Sequence, residues 1–363
     1  LLRSWGMGVK RKAQEAAAAD GGSVDWRSYP RRPFKRGFIE YINVSVRAAE
    51  AANRRAAAGI KIVGDGGIAD TPPPVESFEE LGILPPWLLE ALREDECYEP
   101  TPIQAQSLPI ALAGQNLIGV TVGSRASASL AYLLPAAVHI EDQPPLAEMD
   151  PGPIALVVAP TRELAVQISK DAAKVFKHSK RSSQHSGGIQ AVCIHEGGSR
   201  KEQLKQLGTA GAHVIAGTPG RLYDLAAKDQ LPLLRVTLLV IDCADKLIEL
   251  GLSEQVRGLA AWIRPERQTL LFSSTWPKAA QDLAAQLCYA GGDPVHISTG
   301  GKRRGNNVAG KSNAKAQSGT SAAQEEGDAQ AEGEAGAEVN IEDAGEAEAV
   351  NEAPAEGDFP DDW

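Results

Sequence analysis

Cysteine is scarce and scattered in this chain. The 363 residues hold four, Cys97, Cys193, Cys243 and Cys288, with no CxxC pair and no metal-ligand spacing. That argues against a disulfide framework and for reduced thiols inside the cell, in nucleus or cytoplasm. Long apolar runs are missing too. The apolar stretches, such as 156–159 and 238–241, are strand-sized, far short of the roughly 18 residues that a membrane span needs. From Ala316 onward there is no Lys or Arg, only 15 Asp and Glu. All 37 basic residues therefore stand in 1–315 with the other 32 of the 47 acids, so a body of net charge +5 carries a tail of −15. Hydrophobic residues make up 43%, enough for a packed core and too many for wholesale disorder. The chain opens on Leu1 rather than Met, so it reads as a possible fragment in which a leader cannot be sought.

Three regions follow from composition. Residues 1–74 are a basic arm and linker. Nine Lys and Arg stand against three acids in 1–36, which suits either a solvated arm or an electrostatic contact to a polyanion. Residues 44–58 read as an Ala-rich helix, 60–63 as a short extended piece, and Thr71-Pro72-Pro73-Pro74 as a stiff linker. Residues 300–363 collapse into Gly, Ala, Asn, Lys and then Ala, Glu and Gly, an expected disordered acidic tail and a candidate arm for protein partners.

Between them, 75–299 reads as one folded domain. Helical spacing covers 88–92, 104–112, 130–140, 162–176, 200–207, 220–227 and 254–263. Short apolar strands are expected at 117–122, 155–159, 190–194, 212–215, 236–241 and 269–272. Such alternation predicts an α/β fold, a doubly wound and mostly parallel sheet covered by helices on both faces. In sheets of this kind ligands bind beyond the carboxyl ends of the strands, so the residues just after each strand are the ones to inspect.

Those residues are Pro160-Thr161-Arg162-Glu163-Leu164-Ala165-Val166-Gln167 after one strand and Gly217-Thr218-Pro219-Gly220-Arg221-Leu222 after another. Gly197-Gly198, Asp242-Cys243-Ala244-Asp245 and Ser273-Ser274-Thr275 follow three more, and Pro100-Thr101-Pro102-Ile103-Gln104 lies downstream of Phe78. Their order and context resemble the N-terminal RecA-like, P-loop NTPase domain of DEAD-box ATP-dependent RNA helicases, over about residues 33–300. The resemblance implies ATP and Mg²⁺ as cofactors and RNA as partner, held through its backbone with little sequence preference. It implies nucleotide contacts at Phe78, Tyr98, Thr101, Gln104, Gly123, Ser124, Ala128 and Ser129. Pro160, Thr161, Arg162, Glu163, Gly197, Gly198, Thr218, Pro219, Gly220 and Arg221 would contact RNA. Asp242 would hold Mg²⁺ through water, with Cys243 and Asp245 completing the catalytic tetrad, and Ser273, Ser274 and Thr275 would couple the ATP and RNA sites.

The residue chemistry suits these assignments. Helix N-termini directly after strands offer free N–H groups and a positive dipole end to a phosphate, and Gly220 allows close backbone approach. Gln104 can both donate and accept along an adenine edge, and Phe78 and Tyr98 can pack against a base. Each feature also has a plain structural reading: a tight turn at Thr-Pro-Gly, a surface charge at Arg162, core aromatics at Phe78 and Tyr98.

Three features depart from the family. The phosphate loop has no Lys in either counting register; Ala128 or Ser127 falls at that position, Arg125 is the loop's one cation, and the loop is one residue too long. Cys243 stands where the family has the Glu that, the resemblance implies, positions and deprotonates the attacking water, and a thiol of pKa about 8.5 is a poor base for it. After residue 300 no second RecA-like domain follows to supply an arginine finger. These departures predict RNA binding with impaired ATP binding and hydrolysis. The alternatives are an active ATP-dependent RNA helicase whose sequence is truncated or locally miscalled, and a non-catalytic assembly scaffold.

Overall fold

The computed structural model describes residues 35–39, 45–63, 71–121, 128–146, 152–288 and 292–300. The outer basic arm, the acidic tail, and Gly123, Ser124 and Arg125 of the phosphate loop lie outside them.

The fold is α/β with an eight-stranded sheet in the order β1-β8-β2-β7-β6-β3-β5-β4. The strands are β1 (Ile60–Val63), β2 (Leu117–Thr121), β3 (Ala155–Val158), β4 (Ala191–Ile194), β5 (Val214–Gly217), β6 (Leu238–Ile241), β7 (Gln268–Ser273) and β8 (Val295–Thr299). All neighbours pair in parallel except β1, which runs antiparallel to β8 with Ile60 opposite Thr299. The helices are α1 (Ser45–Ala58), α2 (Pro86–Glu94), α3 (Pro102–Leu112), α4 (Ser129–Glu141), α5 (Arg162–Val175), α6 (Arg200–Ala210), α7 (Pro219–Ala227), α8 (Ala244–Glu249), α9 (Ser253–Ala261) and α10 (Lys278–Leu287).

Successive side chains on a strand point to opposite faces, and the core divides accordingly. Leu238, Val240, Leu270 and Phe272 pack on one face with Leu108, Tyr132 and Ile168 of α3, α4 and α5. Leu239, Ile241 and Leu271 pack on the other with Leu222, Leu259 and Leu283 of α7, α9 and α10. Both faces are thus covered, which is why these strands read as unbroken apolar runs rather than alternating ones.

Residues before 75 also join the sheet and its packing. β1 is a strand of the same sheet. Arg55 of α1 is buried, donating from Nε to Gln106 Oε1 and from Nη2 to the carbonyls of Thr71 and Pro72, all at 2.8 Å. Gln106 Nε2 donates to Pro72 O at 2.8 Å as well. One guanidinium therefore ties the helix, the proline segment and α3 together.

Candidate functional site

The parallel strands β2, β3, β6 and β7 lie side by side, so their carboxyl ends open onto one cleft of about 390 Å³. Thr121, Ser129, Thr161, Asp242, Cys243 and Ser273 line it, one or two from each strand end or following helix. Asp242 directly follows β6. Its Oδ2 accepts a hydrogen bond from Tyr132 Oη at 2.9 Å. Burial and the Asp242 charge push the Tyr132 phenol well above its ordinary value. Cys243 takes the left-handed conformation, φ 55° and ψ 56°, at the turn into α8. That turn sends the chain from the strand end straight into a helix and leaves the Cys243 side chain bordering the cleft.

Asp245, in the first turn of α8, meets the Ser273-Ser274-Thr275 segment. Its Oδ2 accepts from Ser274 Oγ and, at 3.3 Å, from Thr275 Oγ1, and its backbone N–H donates to Ser273 Oγ at 3.1 Å. Burial opposes ionisation here, but the hydrogen bonds from Ser274, Lys246 N–H and Ser273 prevail and hold this carboxyl below its ordinary range. The three hydroxyl residues are therefore gathered around Asp245.

The oxygen donors fit Mg²⁺, which prefers hard carboxylate, hydroxyl and water ligands. The Asp242 carboxylate would hold the hydrated ion, with the Ser129 hydroxyl across the cleft. Cationic side chains are scarce along the described lining. Among the described lining residues, the carboxylates of Asp171 and Asp242 face a single cation, Lys246, whose Nζ already pairs with Glu249 at 3.1 Å. Ala128 and Ser129 open α4 without a cationic side chain.

The adenine-side residues lie apart from this lining. Gln104 is 2% exposed and its Oε1 accepts from Thr101 N–H at 2.9 Å, so its carbonyl end closes the start of α3. Phe78, also 2% exposed, belongs to the core. Tyr98 is 63% exposed and open to a stacking partner.

A second surface lies past the ends of β3, β4 and β5. Thr161 caps α5, accepting from Leu164 N–H at 3.3 Å, with Arg162 and Glu163 exposed in the first turn. Gly197 has φ 81°, a left-handed position that favours glycine, and a methyl group there would lie 3.3 Å from Arg162 Nη1. Arg221 of α7 reaches Gly198 O at 3.5 Å and Gln203 Oε1 at 3.3 Å. Thr218 caps the entry to α7 but sends its hydroxyl to Glu196 Oε2 instead of its own helix. Arg162, Gly197, Gly198, Thr218, Gly220 and Arg221 thus share one surface. Glu196, which the sequence reading passed over, stands among them; its signal was only its place beside the Gly-Gly pair.

This pairing of a strand-end cleft with a neighbouring surface of helix N-termini defines a RecA-like nucleotide-binding domain. The DEAD/DEAH box helicase family model matches residues 101–283, and the chain belongs to that family. It is 43% identical over 221 residues to DEAD-box ATP-dependent RNA helicase 20 of Arabidopsis thaliana, covering 61% of this chain and 42% of that protein. To ATP-dependent RNA helicase DBP2 of Eremothecium gossypii it is 37% identical over 278 residues, 76% of this chain and 46% of the relative. The chain thus spans about half the length of these curated relatives. The crystal structure of the yeast DEAD-box splicing factor Prp28 superposes with a TM-score of 0.62 at 29% identity, covering 69% of this chain and 57% of that one. No helix among the described residues is long and apolar enough to cross a membrane.

Proposed function

We propose that this domain grips RNA by its sugar-phosphate chain and turns over ATP slowly or not at all. The observation that carries the RNA half is the shared surface on which the N-termini of α5 and α7 stand beside the Gly197-Gly198 loop and two arginines. Contacts of this kind are independent of base sequence and sensitive to salt. The ATP half rests on the absent Lys at Ala128 and on Cys243 beside Asp242, two separate losses of phosphate grip and water activation. Fluorescence anisotropy with a single-stranded RNA over a salt series tests the first half. Affinity should fall steeply with salt, and deleting 316–363, a competing polyanion of charge −15, should raise it. Titration with ATP·Mg²⁺ tests the second, and micromolar affinity would overturn it.

One observation favours a second reading, an active ATP-dependent RNA helicase. The Asp245 contacts to Ser274 and Thr275, which would link nucleotide to RNA, are fully formed. RNA-stimulated release of phosphate from ATP by the chain as it stands would select that reading.

A further inference from the structure

We propose that Glu196 is an internal anion seated where an RNA phosphate would bind at the N-terminus of α7, and that it must swing away before RNA engages there. The inference rests on the RNA reading of this surface and adds a residue that sets its affinity.

The loop after β4 carries Glu196 across to the first turn of α7. Thr218 Oγ1 donates to Glu196 Oε2. A methyl group on Gly220 would lie only 2.5 Å from Glu196 Oε1, so the carboxylate occupies space that this glycine leaves open over the helix start. Thr218, the N-cap, makes no side-chain bond to its own helix, and the carboxylate it holds stands beside that helix start. A negative group at a helix N-terminus is favourable for the same reason that a phosphate is: both meet free N–H groups and the positive end of the dipole. The two therefore compete.

The surroundings favour displacement. Glu196 is an exposed residue, so its carboxylate can rotate into water at the loss of few contacts. Arg162 stands by Gly197, and Arg221 points away to Gly198 O and Gln203 Oε1. An RNA phosphate arriving here would take over the Thr218 hydroxyl and the helix terminus while gaining the field of both arginines.

Binding of a short fluorescein-labelled oligouridylate to the full chain, without nucleotide and at low salt, tests this. Glu196→Gln keeps the side-chain shape and removes the charge, and should tighten binding about two- to fivefold, the range expected for one charge at a helix end. The same substitution should lower the melting temperature of the free protein, because α7 loses its anion, so affinity and stability move in opposite directions. Glu196→Ala should behave alike and serves if the first variant folds poorly. Arg162→Ala should weaken binding. If Arg162→Ala weakens binding while both Glu196 variants leave it unchanged or weaker, the role of Glu196 is overturned and the RNA reading stands. If none of the three moves the affinity, both are overturned.

Discussion

Tyr132 donates its hydroxyl to Oδ2 of Asp242 across 2.9 Å, from a ring with no solvent exposure that packs 5.6 Å from Phe272. Helix α4 is thus joined to the residue that directly follows β6. Tyr132→Phe should cost about 1.5–3 kcal/mol, the worth of a hydrogen bond to a charged group. Asp242→Asn should cost less, because a carboxamide oxygen still accepts. Urea unfolding measures both, and an undiminished midpoint for Tyr132→Phe would mean that the bond contributes nothing.

Grip and water activation are separate terms, so neither Ala128→Lys nor Cys243→Glu alone should restore ATP hydrolysis; restoring it needs at least both. Cys243 is left-handed at φ 55°, and Glu is no more strained there than Cys, since neither is β-branched. The double variant should therefore fold. RNA-stimulated phosphate release is the measurement; turnover by either single variant would show that one loss alone limits the enzyme.

Most strands announced themselves as short apolar runs because both faces of the sheet are covered. Three elements went unread: α8, α10 and β8. The first has only six residues, too few for a helical period to show. α10 does carry the spacing, with Ala280, Leu283, Ala284 and Leu287 all buried, but it follows the coupling motif and was overshadowed by it. β8 alternates weakly, with Ile297 and Thr299 inward. The role of α1 was hidden for a different reason: it docks through a buried arginine, and an Arg in an Ala-rich helix reads as a solvated charge. Within the site, motif order singled out Asp245 and the Ser273-Ser274-Thr275 hydroxyls, which the fold brings into contact. It could not reveal that Gln104 caps its own helix or that Glu196 reaches Thr218, since both depend on side-chain direction.

Neighbouring arginines on α1 should differ sharply. Arg55 is buried and bonded to Gln106, Thr71 and Pro72, so Arg55→Ala strands three acceptors and should cost about 2–4 kcal/mol. Arg54 sits in a more open cluster with Glu50, Glu76 and Glu80, and Arg54→Ala should cost about 1 kcal/mol or less. Equal losses in urea unfolding would refute the view that α1 is fastened through Arg55.

Acid should weaken the fold before its carboxylates titrate, through a chain of buried imidazoles. Gln190 N–H donates to His213 Nδ1 at 3.1 Å, which places the His213 proton on Nε2. That atom faces His185 Nδ1 at 3.3 Å, and His185 Nε2 donates to Ile140 O at 2.8 Å. Both ring nitrogens of His213 are engaged, so a further proton finds no place on it without breaking a bond. Burial, with the charges of His185 and Arg235 beside it, lowers His213 to about 3. Burial and then Arg36 lower His139, which bonds Thr237, to about 4. Unfolded, both would titrate near 6.5. The unfolded chain therefore takes up protons first as pH falls. Stability is complete above roughly pH 6.5 and declines below it, until each folded value is passed. By pH 5 the loss should be of the order of 2 kcal/mol for each of the two groups, as an upper bound. The melting temperature measured from about pH 7 to pH 5 should fall steadily. His213→Gln should start lower and fall less, since its amide never charges; a flat profile in the native chain would show that these imidazoles are not held neutral.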